Sequence, residues 1–182
     1  MPLRKNSVDM TITSPPYANA IDYLRCSKFS LVWMGFTVSE LRCIRGESIG
    51  TQRGLDRDVW NSDLEKSYNK LGDVAQLPNS TVNSLKLYLH DMNKSVQEIA
   101  RVTRTGGKIF WVIGDSTMRG IFVKNSNAIA SLCRNAGIEV TKRRTRVIPE
   151  SRRYLPPPKK GSPNAIEKRM RKEVILECVN GV

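Results

Sequence analysis

The sequence predicts an α/β domain, and three stretches carry that prediction. Residues Val8 to Thr13 alternate apolar and polar side chains, the pattern of a half-buried strand. Residues 84–103 place Leu85, Leu89, Met92, Val96, Ile99, Ala100 and Val102 along one helical stripe. Lys108 to Asp115 is almost continuously apolar, as expected of a strand covered on both faces. Gly106-Gly107 lies between the last two stretches and reads as the end of the helix. A helix stepping through glycines into a buried strand is the repeating unit of α/β sheets.

Length and composition fit one globular domain. The chain has 182 residues, 40% hydrophobic and 26% charged, enough for a core of its own. No apolar run reaches the length of a membrane span and no signal-peptide pattern opens the sequence, so a cytoplasmic protein is expected. Cys26, Cys43, Cys133 and Cys178 are scattered and His90 is the single histidine. That spacing forms no zinc motif; the cysteines are expected to be reduced and buried, and no metal is expected. A net charge of +13 favours a polyanionic partner, because lysines and arginines on phosphates release condensed counterions.

The remaining elements follow in order. Residues 18–25 and 28–35 read as one or two helices ending near Gly35, with Phe29, Leu31, Val32 and Trp33 expected to pack. A short helix is expected at 38–43. Residues 44–80 form a loop-rich insertion with glycines at 46, 50 and 54, a helix at 63–71, and a break at Pro78-Asn79-Ser80. After the 108–115 strand come a helix at 127–135, a stop at Gly137, a strand at 138–141 and a last strand at 173–179. Between these strands, residues 142–172 form a basic excursion. It carries 12 lysines and arginines against Glu150 and Glu167, with Tyr154 and Pro156-Pro157-Pro158 interleaved. Arg152, Arg153, Lys159 and Lys160 at its centre are expected to contact phosphates.

Chemistry concentrates in Thr13-Ser14-Pro15-Pro16-Tyr17. The prolines end the first strand, because neither donates to a ladder and each fixes its own φ. Ser14 and Pro15 are held extended. A hydroxyl, free carbonyls and an aromatic ring are thus offered together at the C-terminal edge of a sheet, where open α/β sheets bind ligands. A planar group could stack on Tyr17 while its exocyclic amine donates to Ser14 and to the Ser14 or Pro15 carbonyl. Asn19, Asp22 and Asp115 are close enough along the chain or the sheet edge to join that site. For Asp115, capping of a helix or turn is the stronger reading.

Residues Asn6 to Tyr17, with the Asn19-Ala20-Ile21-Asp22-Tyr23 continuation, resemble the catalytic strand and loop of the S-adenosylmethionine-dependent amino-methyltransferases. Ser-Pro-Pro-Tyr is similar to the DNA cytosine-N4 branch more than to the adenine-N6 branch. The resemblance implies a Rossmann-like methyltransferase fold from its fourth strand onward, mostly parallel, with an antiparallel last strand. It implies a site-specific DNA methyltransferase of the restriction-modification kind, with an RNA base amino-methyltransferase as the alternative. Ser14, Pro15, Pro16 and Tyr17 would be catalytic; Thr13, Ser14 and Asp115 would touch S-adenosylmethionine. The family's Phe-x-Gly-x-Gly turn occurs nowhere in the 182 residues. A second chain or an upstream segment is therefore expected to carry the cofactor half, unless the chain is an inactive nucleic-acid-binding remnant. Half a sheet would also leave a long hydrophobic edge at Val8–Thr13 or at its neighbour.

Overall fold

A computed structural model describes residues 1–18, 23–49, 60–149 and 172–182. The elements are β1 (Val8–Thr13), α1 (Tyr23–Trp33), α2 (Val38–Glu47), α3 (Ser62–Tyr68), α4 (Asn79–Val102), β2 (Thr103–Gly114), β3 (Ser116–Met118), β4 (Ile121–Val123), α5 (Asn125–Asn135), β5 (Ile138–Val147) and β6 (Lys172–Asn180). The main sheet has the order β1-β2-β6-β5, and β3 with β4 forms a separate hairpin.

β1 lies parallel to β2, whereas β6 runs antiparallel to both β2 and β5. The expectation of a mostly parallel sheet is corrected accordingly. The last strand is indeed reversed, but it inserts between β2 and β5 and so converts two of the three ladders to antiparallel ones. The pairing is mixed and mostly antiparallel among the described residues.

Alternation of side chains along each strand divides the sheet into two unequal faces. Ile109, Trp111 and Ile113 of β2 and Val174, Leu176 and Cys178 of β6 are buried in one cluster with Leu85, Leu89 and Met92 of α4 and Ile129 and Leu132 of α5. On the other face Phe110, Val112, Ile175 and Val179 are only half-buried. There the edge strand β1 leaves Met10 51% and Ile12 71% exposed.

Several boundaries differ from the sequence reading for identifiable reasons. α4 starts at Asn79, directly after Pro78 at φ −55°; a proline before a helix needs no N–H partner there, so Pro78 starts the helix and does not interrupt it. Gly106 and Gly107 do not end the helix but belong to β2. Val8 pairs with Thr103 and Met10 already pairs with Lys108, so the intervening β2 residues bulge opposite Asp9. Gly106 takes φ +76°, and a Cβ on Gly107 would come within 2.6 Å of Thr103 Cγ2. α2 continues to Glu47, past the expected helix end at residue 43, after a capping box of Thr37 and Glu40. β5 runs on to Val147, which puts Lys142, Arg143, Arg144 and Arg146 on a strand and not in a loop. The β3–β4 hairpin was not expected; it turns at Arg119 (φ +50°) and Gly120 (φ +88°).

Packing of α1 also departs from expectation. Phe29 is 69%, Val32 51% and Trp33 91% exposed, and only Leu31 is half-buried. Cys133 and Cys178 are buried and free, and Cys43 is exposed; the Cys26 side chain lies outside the described residues. Among the described residues no helix is long and apolar enough to cross a membrane.

Two substitutions separate core from edge. Leu176→Ala, at a fully buried position, is expected to cost about 2–5 kcal/mol in denaturant unfolding of the chain. Ile12→Ala is expected to change stability by no more than about 0.5 kcal/mol, because little of that side chain is covered.

Candidate functional site

Among the described residues, groups from three elements, β2, α4 and β6, hold the loop after β1. Thr13 ends β1 opposite Trp111. Ser14 is exposed, Pro15 is buried, and Pro16 and Tyr17 are half-buried. Ser14 Oγ lies 3.2 Å from the Val112 carbonyl of β2, to which it donates. It lies 3.2 Å from Tyr17 Oη as well. From α4, Tyr88 donates its hydroxyl to the Pro16 carbonyl at 3.0 Å.

Tyr17 Oη in turn donates to Glu173 Oε1 at 3.1 Å. The second oxygen of Glu173 accepts from Arg146 Nη2 at 2.5 Å and Nε at 3.1 Å. These two residues face each other across the β5–β6 ladder. The hydrogen bond that Arg146 donates to Glu173, with the charge of that carboxylate, pushes the Arg146 guanidinium pKa above its ordinary value. The Glu173 side chain is 14% exposed and that of Arg146 60%; one end of the pair is thus enclosed by the site and the other faces solvent. Chemically, the cluster offers an exposed hydroxyl, a clamped aromatic ring and a charged acceptor behind them.

Asp115 is engaged elsewhere. Its Oδ1 accepts from the Ser126 backbone N–H at 2.8 Å and its Oδ2 from Ser126 Oγ at 3.1 Å. The N-cap residue of α5, Lys124, makes no side-chain cap, so Asp115 satisfies an otherwise orphaned helix N–H from across the chain. Asn125 adds bonds from Nδ2 to the Gly114 carbonyl and to Ser116 Oγ. Asp115 therefore ties the end of β2 to α5.

Thr13, Ser14, Pro15, Pro16 and Tyr17 come together as one loop. Asn19, Asp22, Arg152, Arg153, Lys159 and Lys160 lie outside the described residues. Sequence reasoning missed Tyr88, Arg146 and Glu173. Tyr88 carried a signal, since a tyrosine beside an apolar helix stripe needs a partner for its hydroxyl. Arg146 was grouped with the phosphate-binding cations, because the strand expected at 138–141 stopped before it.

No protein-family model matches the chain, and no curated protein matches it by sequence. Solved structures do match. A candidate DNA modification methylase from Thermus thermophilus, crystallised with S-adenosyl-L-methionine, aligns over 100% of this chain and 49% of its own length, at 15% identity and a TM-score of 0.50. The selenomethionine derivative of that protein aligns over 57% of this chain and 40% of its own, at 17% identity and a TM-score of 0.43, a likeness too slight to carry argument. The first match defines the fold: this α/β chain resembles part of a methyltransferase structure and spans about half the length of that neighbour.

Asp115→Ala is expected to lower stability by about 1 kcal/mol, the usual cost of a lost helix cap. Chemical denaturation monitored by circular dichroism checks this.

Proposed function

We propose that the chain is the amine-binding portion of an S-adenosylmethionine-dependent DNA amino-methyltransferase, acting on cytosine N4. The observation that carries the proposal is the Ser14-Pro15-Pro16-Tyr17 loop at the C-terminal end of a parallel strand. There Ser14 Oγ is exposed and stands 3.2 Å from the Tyr17 hydroxyl. The target base would be flipped out of the duplex, since its amine cannot be reached within the stack. Ser14 and the Pro15 carbonyl would accept the amine hydrogens and Tyr17 would stack on the base. Pro16 would hold the loop's shape, aided by Tyr88. Rate would come mainly from proximity and orientation. Arg152, Arg153, Lys159 and Lys160 would grip the DNA backbone.

The methyl donor needs residues beyond these. Among the described residues, the glycines with positive φ are Gly35, Gly72, Gly106, Gly120 and Gly137. Gly35 and Gly137 follow helices, Gly72 follows the 3-10 turn Asn69–Leu71, Gly106 sits in the β2 bulge and Gly120 in the β3–β4 turn, so none of them joins a strand end to a helix N-terminus. Asp115 is already bonded to Ser126. The described residues thus do not fit S-adenosylmethionine by themselves, although Thr13 and Ser14 would border it. A complement, either a second chain or an upstream segment, would supply the cradle and cover β1. The two sheet edges support this reading. β5 carries Lys142, Arg144 and Arg146, charges that discourage strand pairing, whereas β1 presents Met10 and Ile12.

A nucleic-acid-binding subunit without catalysis is the second reading, favoured by the lack of a glycine cradle among the described residues. An RNA base amine is the alternative substrate of the first. Mass spectrometry of the particle purified from its native host identifies any complement. With the complement present, methyl transfer to DNA is expected, and Ser14→Ala should reduce it about 100-fold through loss of the amine's acceptor. Transfer to RNA alone would change the substrate, and absence of transfer would leave the binding role. Ile12→Lys is expected to abolish co-purification of the complement while leaving the chain folded, since the side chain it replaces is 71% exposed.

A further inference from the structure

Among the described residues, two hydroxyl protons serve the three hydrogen bonds that link the Val112 carbonyl, Ser14, Tyr17 and Glu173. Ser14 Oγ is 3.2 Å from the Val112 carbonyl and 3.2 Å from Tyr17 Oη, and Tyr17 Oη is 3.1 Å from Glu173 Oε1. The carboxylate is the strongest acceptor of the set, so the Tyr17 proton points to Glu173. Tyr17 Oη then faces Ser14 with its lone pairs. The single Ser14 proton accordingly has two places to go, the Val112 carbonyl or Tyr17 Oη. When it points to Tyr17, both O–H bonds run the same way, toward Glu173, and the Ser14 lone pairs are left as acceptors.

We infer that Glu173 ends a proton relay, Ser14 to Tyr17 to Glu173, which removes the proton that the substrate amine sheds during methylation. This rests on the function proposed above. As the amine nitrogen bonds to the methyl carbon, the carbon–sulfur bond of a sulfonium donor breaks and its electron pair stays on sulfur. The nitrogen is then cationic and must lose an N–H proton. That proton passes to Ser14 Oγ, the Ser14 proton passes to Tyr17 Oη, and the Tyr17 proton passes to Glu173. Glu173 becomes a neutral carboxylic acid. With its side chain 14% exposed, it returns the proton to water and regains its pairing with Arg146. The relay gives the loop a basic terminus that its own residues lack, because serine and tyrosine hydroxyls are poor bases at neutral pH.

The rival role for Glu173 is a plain anchor for the Tyr17 ring. Glu173→Gln separates the two, because the glutamine carbonyl still accepts from Tyr17 but no longer takes its proton. In the assembled enzyme, the relay expects kcat for Glu173→Gln to fall 10- to 100-fold with KM for DNA unchanged. Glu173→Asp should restore part of the loss. Wild-type kcat in Glu173→Gln, or a change in KM alone, would overturn the relay. A second readout needs no turnover. Ultraviolet titration of tyrosinate, with Tyr17→Phe to assign the Tyr17 component, should show that component ionising at lower pH in Glu173→Gln. The carboxylate that resists formation of a second negative charge would be gone, while Arg146 stays. An unmoved titration would also overturn the relay. A wild-type assembly that transfers no methyl group, while its Tyr17 titration still responds to Glu173, would overturn the functional reading and the relay's catalytic use with it.

Discussion

Pro15 and Pro16 supply no backbone N–H, so the sheet ladder that holds β1 cannot extend into the loop beyond it. Side chains take over that task. Val112 of β2 receives the Ser14 hydroxyl, Tyr88 of α4 reaches the Pro16 carbonyl, and Glu173 of β6 receives the Tyr17 hydroxyl. The loop's shape is thus dictated by the packing of α4 against the sheet and by the insertion of β6 beside β2. Moving β6 to the sheet's edge would take Glu173 away from Tyr17. The topology and the candidate site are therefore one constraint seen at two scales.

A second asymmetry runs across the sheet. One face is closed by α4 and α5 over residues such as Trp111 and Leu176, and it supplies the core. The other keeps Phe110, Val112, Ile175 and Val179 half-buried, flanked on β5 by Arg144 and Arg146, which pair with Glu177 and Glu173. Apolar area left in water is a lost stabilisation of about 25 cal/mol per Å². Covering that face and the β1 edge would recover it. The exposed Phe29 and Trp33 of α1 belong to the same pattern, a chain whose helical stripes exceed the core available to receive them.

Much of this was legible in the sequence, where local pattern and tertiary context agree. β1, the α4 stripe, β2 and β6 could be read because their apolar periods are unambiguous. Readings failed where one residue type serves two ends. Gly106-Gly107 resembles a helix stop, yet the β1–β2 register uses it as a bulge. Pro78 resembles a break and instead precedes a helix start. Lys142 to Arg146 read as the start of a phosphate-binding excursion, yet they lie on β5 and pair with β6, because a strand's edge position is set by its partner and is invisible in its own composition. At the candidate site, Ser14 to Tyr17 could be nominated because they are contiguous in the chain. Glu173 and Arg146 lie far along the chain and meet Tyr17 only through sheet order.

The Val147–Lys172 pair closes the β5–β6 ladder, one rung beyond the Arg146–Glu173 pair. The two ends of the stretch between these strands are therefore held at one fixed gate in the ladder, next to the rung that carries Glu173. Closing a longer segment at such a gate costs little, about 0.6 kcal/mol for each doubling of length. Descendants of this chain could lengthen, shorten or exchange that segment while the rung beneath it stayed in place.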